Sequence, residues 1–238
     1  AKSRITYITD GNTENWYYPV FSFQGFRYIR LTEYPSAETY IGDFKAIVVH
    51  SDMKRTGWFS CSDPMVNRLY ENVIWGQRGN YLSVPTDCPQ RNERLGWTAD
   101  TQVFAETGTF FANTLTFFHK WMRDMRDSQS ETGGFPGVAP YAQYGNEKMR
   151  LGWADAGIIV PWTVWKQFGD KQIIDDNWES MNLFMNHIYE TKYNHEALVA
   201  ENGNYQWADW LSYEPLETCG GLHRKDGKIM PEAIDYWN

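Results

Sequence analysis

At 238 residues, the chain is long enough for one large domain or for a small domain joined to part of a larger one. Its formal net charge of −8 and its lack of any Lys or Arg run argue against nucleic acid and anionic membranes as partners. Hydrophobic residues make up 42% of the chain, which is enough for an extensive core. No apolar run approaches the about 18 residues of a membrane span, and no secretion signal follows residues 1–4.

Cysteine and histidine usage predicts neither a disulfide framework nor a metal site. The three cysteines form no CxxC pair, and the five histidines form no HxxxH or similar pair. Cys88 lies in a polar segment where a nucleophile is conceivable. No histidine lies near it in sequence, so a structural role for Cys88 is favoured over a nucleophilic one.

The first 60 residues predict β-strands. Short β-branched or aromatic runs alternate with segments rich in Gly, Asn, Asp and Pro. The predicted strands cover residues 5–9, 16–23, 26–31 and 46–50. These strands are too few to close two sheets, so residues 1–55 are predicted to be the C-terminal part of a β-sandwich domain.

From about residue 62 the sequence period becomes helical. Asp63 and Pro64 suit an N-cap and a first helical position, and a helix is predicted from there to about Gly79. The residues that follow at spacings of three and four are Val66, Leu69, Val73 and Gln77. Two further helices are predicted over residues 98–111 and 114–128.

A long loop, residues 129–150, precedes a helix predicted over residues 153–168. That helix is apolar on most faces, which predicts burial, and Pro161 predicts a kink. Gly169 ends it, and Asp170 caps an amphipathic outer helix. The apolar face predicted for this outer helix comprises Ile173, Ile174, Trp178, Met181, Phe184, Met185 and Ile188.

Three segments repeat a pattern of Trp followed by Asp: residues 95–100, 151–155 and, more loosely, 205–210. Their spacings of 56 and 54 residues equal one helix pair plus a long loop. The sequence therefore predicts a mainly α protein, in which helical hairpins curve into an α/α toroid over residues 56–238. The Trp and Asp residues would then ring one mouth of that toroid.

Polar side chains are densest in residues 84–100, with three carboxylates, two arginines, two amides and a tryptophan. One interpretation is a salt-bridged loop, with Asp residues as helix N-caps worth about 0.5–2 kcal/mol. The repeated Trp/Asp pairs favour a sugar site instead. An indole packs on the C–H face of a pyranose, and carboxylates bind its hydroxyls.

Glycoside cleavage commonly needs a protonated carboxyl at the leaving oxygen and a second carboxylate. Glu93 and Trp97 would lie one turn apart if that segment were helical, and desolvation by an indole favours the protonated form of a carboxyl. Arg91 and Arg94 would favour the ionised form, so one of them is expected to pair with Asp87 or to point away.

Residues 87–100, Asp-Cys-Pro-Gln-Arg-Asn-Glu-Arg-Leu-Gly-Trp-Thr-Ala-Asp, closely resemble the signature of bacterial α-L-rhamnosidases of glycoside hydrolase family 78. The resemblance continues through residues 153–155 and 207–209 and covers most of residues 55–238. It implies an (α/α)6 barrel after β-sandwich domains. It also implies an inverting hydrolase without an organic cofactor, which releases terminal L-rhamnose from plant glycosides or polysaccharides. Asn92 and Ala99 stand where the family commonly has Asp and Gly, which leaves the carboxylates intact.

The resemblance also implies roles for individual residues. Glu93 matches the proposed general acid, and Asp87, Trp97 and Asp100 match residues that hold the rhamnose ring, with Arg91 in the same motif. Further substrate-binding candidates are Trp153, Asp155, Trp207 and Trp210. The family's general base lies far toward the C-terminal end of the barrel. The chain is therefore expected to be a fragment that is inactive by itself.

Other classes of protein remain open at this stage. Residues 87–100 argue against another α/α-barrel glycosidase, whereas a non-catalytic carbohydrate-binding protein would have no need of Glu93. A structural helical array would bind no sugar. The predicted partner is a rhamnose-containing glycoside, a homodimer is compatible with the sequence, and the bacterial compartment is open between cytoplasm and periplasm or secretion.

Overall fold

The structure is a computed structural model that describes residues 3–12, 15–34, 40–142 and 150–193 and two short strands further on. Five helices dominate these ranges: α1 Pro64–Asn80, α2 Thr98–Phe111, α3 Leu115–Asp127, α4 Ala156–Phe168 and α5 Lys171–Tyr193. A 3₁₀ helix spans Ile41–Asp43. Two antiparallel hairpins pair β1 Tyr81–Leu82 with β2 Val84–Pro85, and β3 Arg224–Lys225 with β4 Lys228–Ile229. None of the described helices is both long and apolar enough to cross a membrane.

Three helix ends, the starts of α1 and α5 and the end of α4, follow local chemistry as predicted. The Asp63 carboxylate accepts a hydrogen bond from the Met65 N–H at 2.8 Å and so caps α1. Gly169 ends α4 in the left-handed conformation with φ +68°. The carboxylate of Asp170 then accepts a hydrogen bond from the Ile173 N–H at 3.3 Å at the start of α5.

The core lies between α3, α4 and α5 and the loop after α3. Its fully buried large side chains include Phe118, Trp121, Met122 and Met125 of α3, Val160 and Val164 of α4, and Phe135, Ile173 and Phe184. Helix α2 packs beside α4, and two contacts show that the helices run in the same direction. Gln102 donates to the Gly152 carbonyl at 3.4 Å near the start of both helices, and Lys166 pairs with Glu106 at 2.7 Å further along both. Two of the repeated Trp/Asp segments therefore lie at the same end of the helix array.

The buried face of α1 includes Gln77, as predicted, but otherwise differs from the predicted face. Tyr70, Ile74 and Gln77 are buried, whereas Val66 and Leu69 are exposed. The Tyr70 hydroxyl donates to the Gly57 carbonyl and the Gln77 amide donates to the Gly108 carbonyl. The spacing included Gln77 but missed Tyr70, whose hydroxyl finds a hydrogen-bond partner in the protein.

The predicted burial of α4 and α5 was also partly wrong. Helix α4 buries Val160 and Val164 but leaves its Trp162 exposed. On α5, Trp178 is 60% exposed, whereas Asn177, outside the predicted face, is 1% exposed and accepts a hydrogen bond from Arg126 at 2.6 Å. Polar contacts with α3 and its following loop therefore set the inner face of α5.

No strand is present in the described residues up to position 50, where four were predicted. Large apolar side chains there, such as Ile8, Val20 and Phe21, face solvent. A strand exists only when its backbone pairs with a neighbour, and its apolar face is stable only when a second layer covers it. Residues 23–25 are an exception to this exposure, since they are half-buried against the loop that precedes α2.

Candidate active site

The chain passes from β2 through an irregular loop, residues 86–97, into α2. The Asp87 N–H donates to the Leu95 carbonyl at 3.1 Å, which closes the loop on itself. Arg94 has φ +51°, a left-handed backbone conformation three residues before Trp97. This closure brings the Asp87, Arg91 and Glu93 side chains together.

Arg91 connects two of the three carboxylates. Its Nη2 lies 2.5 Å from Asp87 Oδ2 and 3.3 Å from Glu93 Oε2. Its Nε donates to the Cys88 sulfur at 2.9 Å. The hydrogen bonds to Asp87 and Cys88 raise the pKa of Arg91. The expectation that one arginine pairs with Asp87 is thus confirmed, and Arg94 points away from the carboxylates toward the Phe23 carbonyl.

Asp87 combines deep burial with an incomplete set of hydrogen bonds. Its side chain is 5% exposed, whereas that of Arg91 is 57% exposed. Asp87 Oδ1 is buried and accepts no hydrogen bond from the described residues. Such an arrangement costs free energy of folding, so stability alone does not explain an aspartate at this position.

Glu93 is held by the indole of Trp97. Trp97 Nε1 donates to Glu93 Oε1 at 2.5 Å. The contact was predicted for a helical turn, but it forms in an irregular segment, since α2 begins only at Thr98. The Glu93 side chain is 27% exposed and can therefore be reached by a ligand.

Asp100 lies in the first turn of α2 and is partly exposed to solvent. Desolvation by the protein around it is the largest effect on its carboxyl and raises its pKa, and the charge of Asp87 raises it further. Glu93 also raises the pKa of Asp100, while its own backbone N–H and the charge of Arg91 lower it. The three carboxylates of the motif therefore lie within electrostatic range of one another.

Replacing Asp100 with Asn is expected to stabilise the fold at pH 7. The folded state raises the pKa of Asp100 above its usual value of 3.8, so the folded protein binds this proton more tightly than the unfolded chain does. The stabilisation from this group is complete below pH about 4 and is lost as the pH rises through the folded pKa. Urea midpoints of wild type and variant should differ at pH 7 and converge near pH 3.5.

Asp175→Asn is the matched control for this comparison, because it removes an exposed carboxylate of α5. It should produce no gain in stability at pH 7. An Asp100→Asn protein that is less stable than wild type at neutral pH would contradict the stated origin of the pKa shift.

The loop after α3 supports the start of α2 in a way that the sequence did not predict. The Ala139 N–H donates to the Gly96 carbonyl and the Thr98 N–H to the Gly137 carbonyl, both at 2.9 Å. A Cβ at Gly96 would lie 2.1 Å from the Ala139 carbonyl oxygen, so this close approach requires glycine. The available sequence signal was the cluster of Gly, Phe and Pro at residues 133–137, which predicted only a loop.

Residues 54–233 match the family model of the bacterial alpha-L-rhamnosidase six-hairpin glycosidase domain. The chain belongs to the bacterial α-L-rhamnosidase family. Residues 1–50 match the model of the bacterial alpha-L-rhamnosidase concanavalin-like domain. The predicted α/α architecture is confirmed, because the rhamnosidase helical domain is the six-hairpin fold and the described part of this chain is mainly helical.

The α-L-rhamnosidase of Streptomyces avermitilis is 39% identical over 213 residues, which are 89% of this chain and 20% of that protein. The solved α-L-rhamnosidase of Dictyoglumus thermophilum has a TM-score of 0.68 and 31% identity, covering 75% of this chain and 19% of its own. The solved structure of the Streptomyces avermitilis enzyme complexed with L-rhamnose has a TM-score of 0.59 and 39% identity. The match covers 68% of this chain and 15% of that chain. The chain thus spans about a fifth of the length of the curated relatives it matches.

In this member of the rhamnosidase family, the second Trp/Asp segment has a visible structural role. Trp153 is 8% exposed, and Asp155 Oδ2 accepts a hydrogen bond from the Gly152 N–H at 2.5 Å. Their binding of substrate stays a prediction. Trp207 and Trp210 lie outside the described residues. Within the described ranges, no three His, Cys, Asp or Glu side chains group in a way that could hold a metal ion.

Proposed function

We propose that the complete gene product is a glycoside hydrolase that releases terminal α-L-rhamnose by an inverting acid/base mechanism. The observation that carries the proposal is the Glu93 carboxyl, held by Trp97 and flanked by the Arg91–Asp87 pair, in a rhamnosidase family member. The complex of the Streptomyces avermitilis relative with L-rhamnose supports a rhamnose-containing glycoside as the substrate.

Glu93 is the proposed general acid. The indole N–H of Trp97 occupies Oε1, so the proton that the acid delivers belongs on Oε2. Arg91 lies 3.3 Å from this oxygen, but its guanidinium is closer to Asp87, at 2.5 Å. Asp87 and Glu93 therefore share the Arg91 guanidinium. Arg94 points toward the Phe23 carbonyl, so Arg91 is the arginine that lies beside the proposed acid.

The remaining groups of the motif are proposed to bind the sugar ring. Asp100 offers an accessible carboxylate to ring hydroxyls, and the exposed guanidinium of Arg91 offers hydrogen-bond donors. Trp97 and Trp153 are the proposed aromatic walls, because an indole face complements the apolar face of a pyranose. Asp155, Trp207 and Trp210 complete the proposed set.

Two domains are proposed, residues 1–55 as the end of a β-sandwich and residues 56–238 as the beginning of the (α/α)6 barrel. The two family matches, which end at residue 50 and begin at residue 54, support this division. So does the start of α1 at Pro64. The second catalytic carboxylate is proposed to act as general base from a later part of the barrel, and residues 1–238 alone are expected to show no turnover.

The test is hydrolysis of an aryl α-L-rhamnoside by the complete gene product, beside aryl α-L-fucosides and aryl β-D-glucuronides. The rhamnoside alone should be cleaved, and NMR of the first product should show inverted anomeric configuration. Retained configuration would refute the inverting mechanism, and cleavage of another sugar in preference would refute the substrate. Binding of L-rhamnose without any hydrolysis would identify a carbohydrate-binding protein instead.

A further inference from the structure

We propose that Arg94 is a positioning residue that aligns the general acid through a contact with residues 23–25. We call this contact the clasp; it consists of Arg94 and residues 89–90 on one side and residues 23–25 on the other. The proposal rests on the proposed function, since it concerns how Glu93 delivers its proton. It assigns the segment before the helical domain a part in the chemistry of that domain.

Arg94 makes two contacts with the same residue. Its Nη1 donates to the Phe23 carbonyl at 2.7 Å, and its guanidinium carbon lies 5.3 Å from the centroid of the Phe23 ring. A charge-assisted hydrogen bond and a stacked guanidinium together fix the direction of this side chain. Lysine could keep the first contact but could not reproduce the planar stacking.

Gly25 fixes the other flank of the same loop. Its N–H donates to the Pro89 carbonyl at 3.2 Å. A Cβ at Gly25 would lie 2.9 Å from both the Gln90 Cα and the Pro89 oxygen, so the two backbones meet at a distance that only glycine allows. The loop that carries Glu93 is therefore held at residues 89–90 and again at Arg94.

The clasp is a localised contact rather than a general collapse of the N-terminal segment. Residues 23–25 are half-buried, while Phe21, Phe26 and Tyr28 beside them are exposed. Arg94 also adopts φ +51°, which is disfavoured for a residue with a side chain and persists only where surrounding contacts enforce it. Among the described residues, Phe23 makes both a hydrogen bond and a ring contact with the Arg94 side chain.

The consequence for Glu93 follows from its place in the chain. Glu93 directly precedes Arg94, and its partner Trp97 lies three residues beyond Arg94. The left-handed turn at Arg94 thus sets how the Glu93 carboxyl meets the indole. Release of the clasp should misalign the acid, while Asp100 keeps its place in the first turn of α2.

The test uses the complete gene product and two aryl α-L-rhamnosides, one with a 2,4-dinitrophenyl leaving group and one with an unsubstituted phenyl group. A good leaving group departs without protonation, so it does not depend on the acid, whereas phenol does. Arg94→Ala should lower kcat/KM for the phenyl rhamnoside about 10- to 100-fold more than for the dinitrophenyl rhamnoside. Arg94→Lys should recover part of this difference.

Gly25→Ala disrupts the backbone contact between Gly25 and residues 89–90 and keeps Arg94 unchanged. It therefore tests the proposal even if Arg94→Ala folds poorly. It should produce the same selective loss on the phenyl substrate. The matched controls are Arg27→Ala, an exposed cation of the same segment, and Gly76→Ala, a helical glycine whose Cβ would meet nothing within 4 Å. Both controls should keep the wild-type ratio between the two substrates.

An equal loss on both rhamnosides, or no loss, in Arg94→Ala and Gly25→Ala would overturn the positioning role and leave the proposed function intact. Hydrolysis of neither rhamnoside by the wild type would instead refute the proposed function. Hydrogen exchange over residues 86–97 reports the clasp without any substrate. Unchanged exchange in Arg94→Ala would refute the clasp itself, whatever the activity.

Discussion

Glu93→Gln is expected to lower kcat on an aryl α-L-rhamnoside with a poor leaving group by about 10²- to 10⁴-fold, the usual contribution of a positioned general acid. Glutamine has the size of glutamate, and its oxygen can still accept the hydrogen bond from Trp97 Nε1. Its amide cannot supply a proton to the leaving oxygen. Binding of L-rhamnose, measured by tryptophan fluorescence, should therefore persist while turnover is lost.

The control for this prediction is Glu106→Gln, which changes a half-exposed glutamate of α2 that pairs with Lys166. It should leave kcat close to the wild-type value. A fully active Glu93→Gln protein would place the acid elsewhere. Loss of binding together with turnover would show that Glu93 holds the sugar rather than protonates the leaving group.

Helix positions were predictable because their signals are local. Asp63 with Pro64, and Gly169 with Asp170, occupy neighbouring positions in the sequence, and each does what its own conformational preference dictates. Helix α4 begins at Ala156, later than predicted, because Asp155 accepts from the Gly152 N–H and closes a turn just before it. The periodicity of apolar residues in the sequence cannot distinguish such a turn from the first turn of a helix.

The candidate site was predictable in its members and only partly in its geometry. A dense run of carboxylates and arginines identified the segment, and electrostatics led us to expect that one arginine would pair with Asp87 or point away; Arg91 pairs with it and Arg94 points away. Two hydrogen bonds that support the site join residues that are distant in the chain: Ala139 donates to Gly96, and Arg94 donates to Phe23. Nothing in a single sequence specifies such pairings, because many glycines and carbonyls are equally eligible.

Burial faces were the least predictable feature, since they depend on what each helix packs against. Asn177 is buried because Arg126 of α3 donates to it, and Trp178 is exposed because its side of α5 meets no described element. The four strands predicted in the first 50 residues also failed because they depend on what they pack against. Their residues have strand composition, but pairing needs partners that composition cannot supply.

Trp121→Ala is expected to lower the free energy of unfolding by about 3–5 kcal/mol, as large-to-small changes at fully buried aromatic positions do. Trp121 is 0% exposed at the centre of the core. Its Nε1 also donates to the Ala139 carbonyl at 3.1 Å, and Ala139 in turn donates to Gly96 beside the candidate site. Urea unfolding of the complete gene product should show a midpoint lower by about 1 M or more.

Two further variants separate the causes of this loss. Trp121→Phe keeps most of the packing but leaves the buried Ala139 carbonyl without this donor, so its cost should be about 1–3 kcal/mol. Trp178→Ala removes an indole that is exposed on α5 and should cost less than either. If Trp121→Phe also lowers turnover of the rhamnoside while Trp178→Ala does not, the core tryptophan supports the site through Ala139. An equal cost for Trp121→Ala and Trp178→Ala would contradict the burial on which the prediction rests.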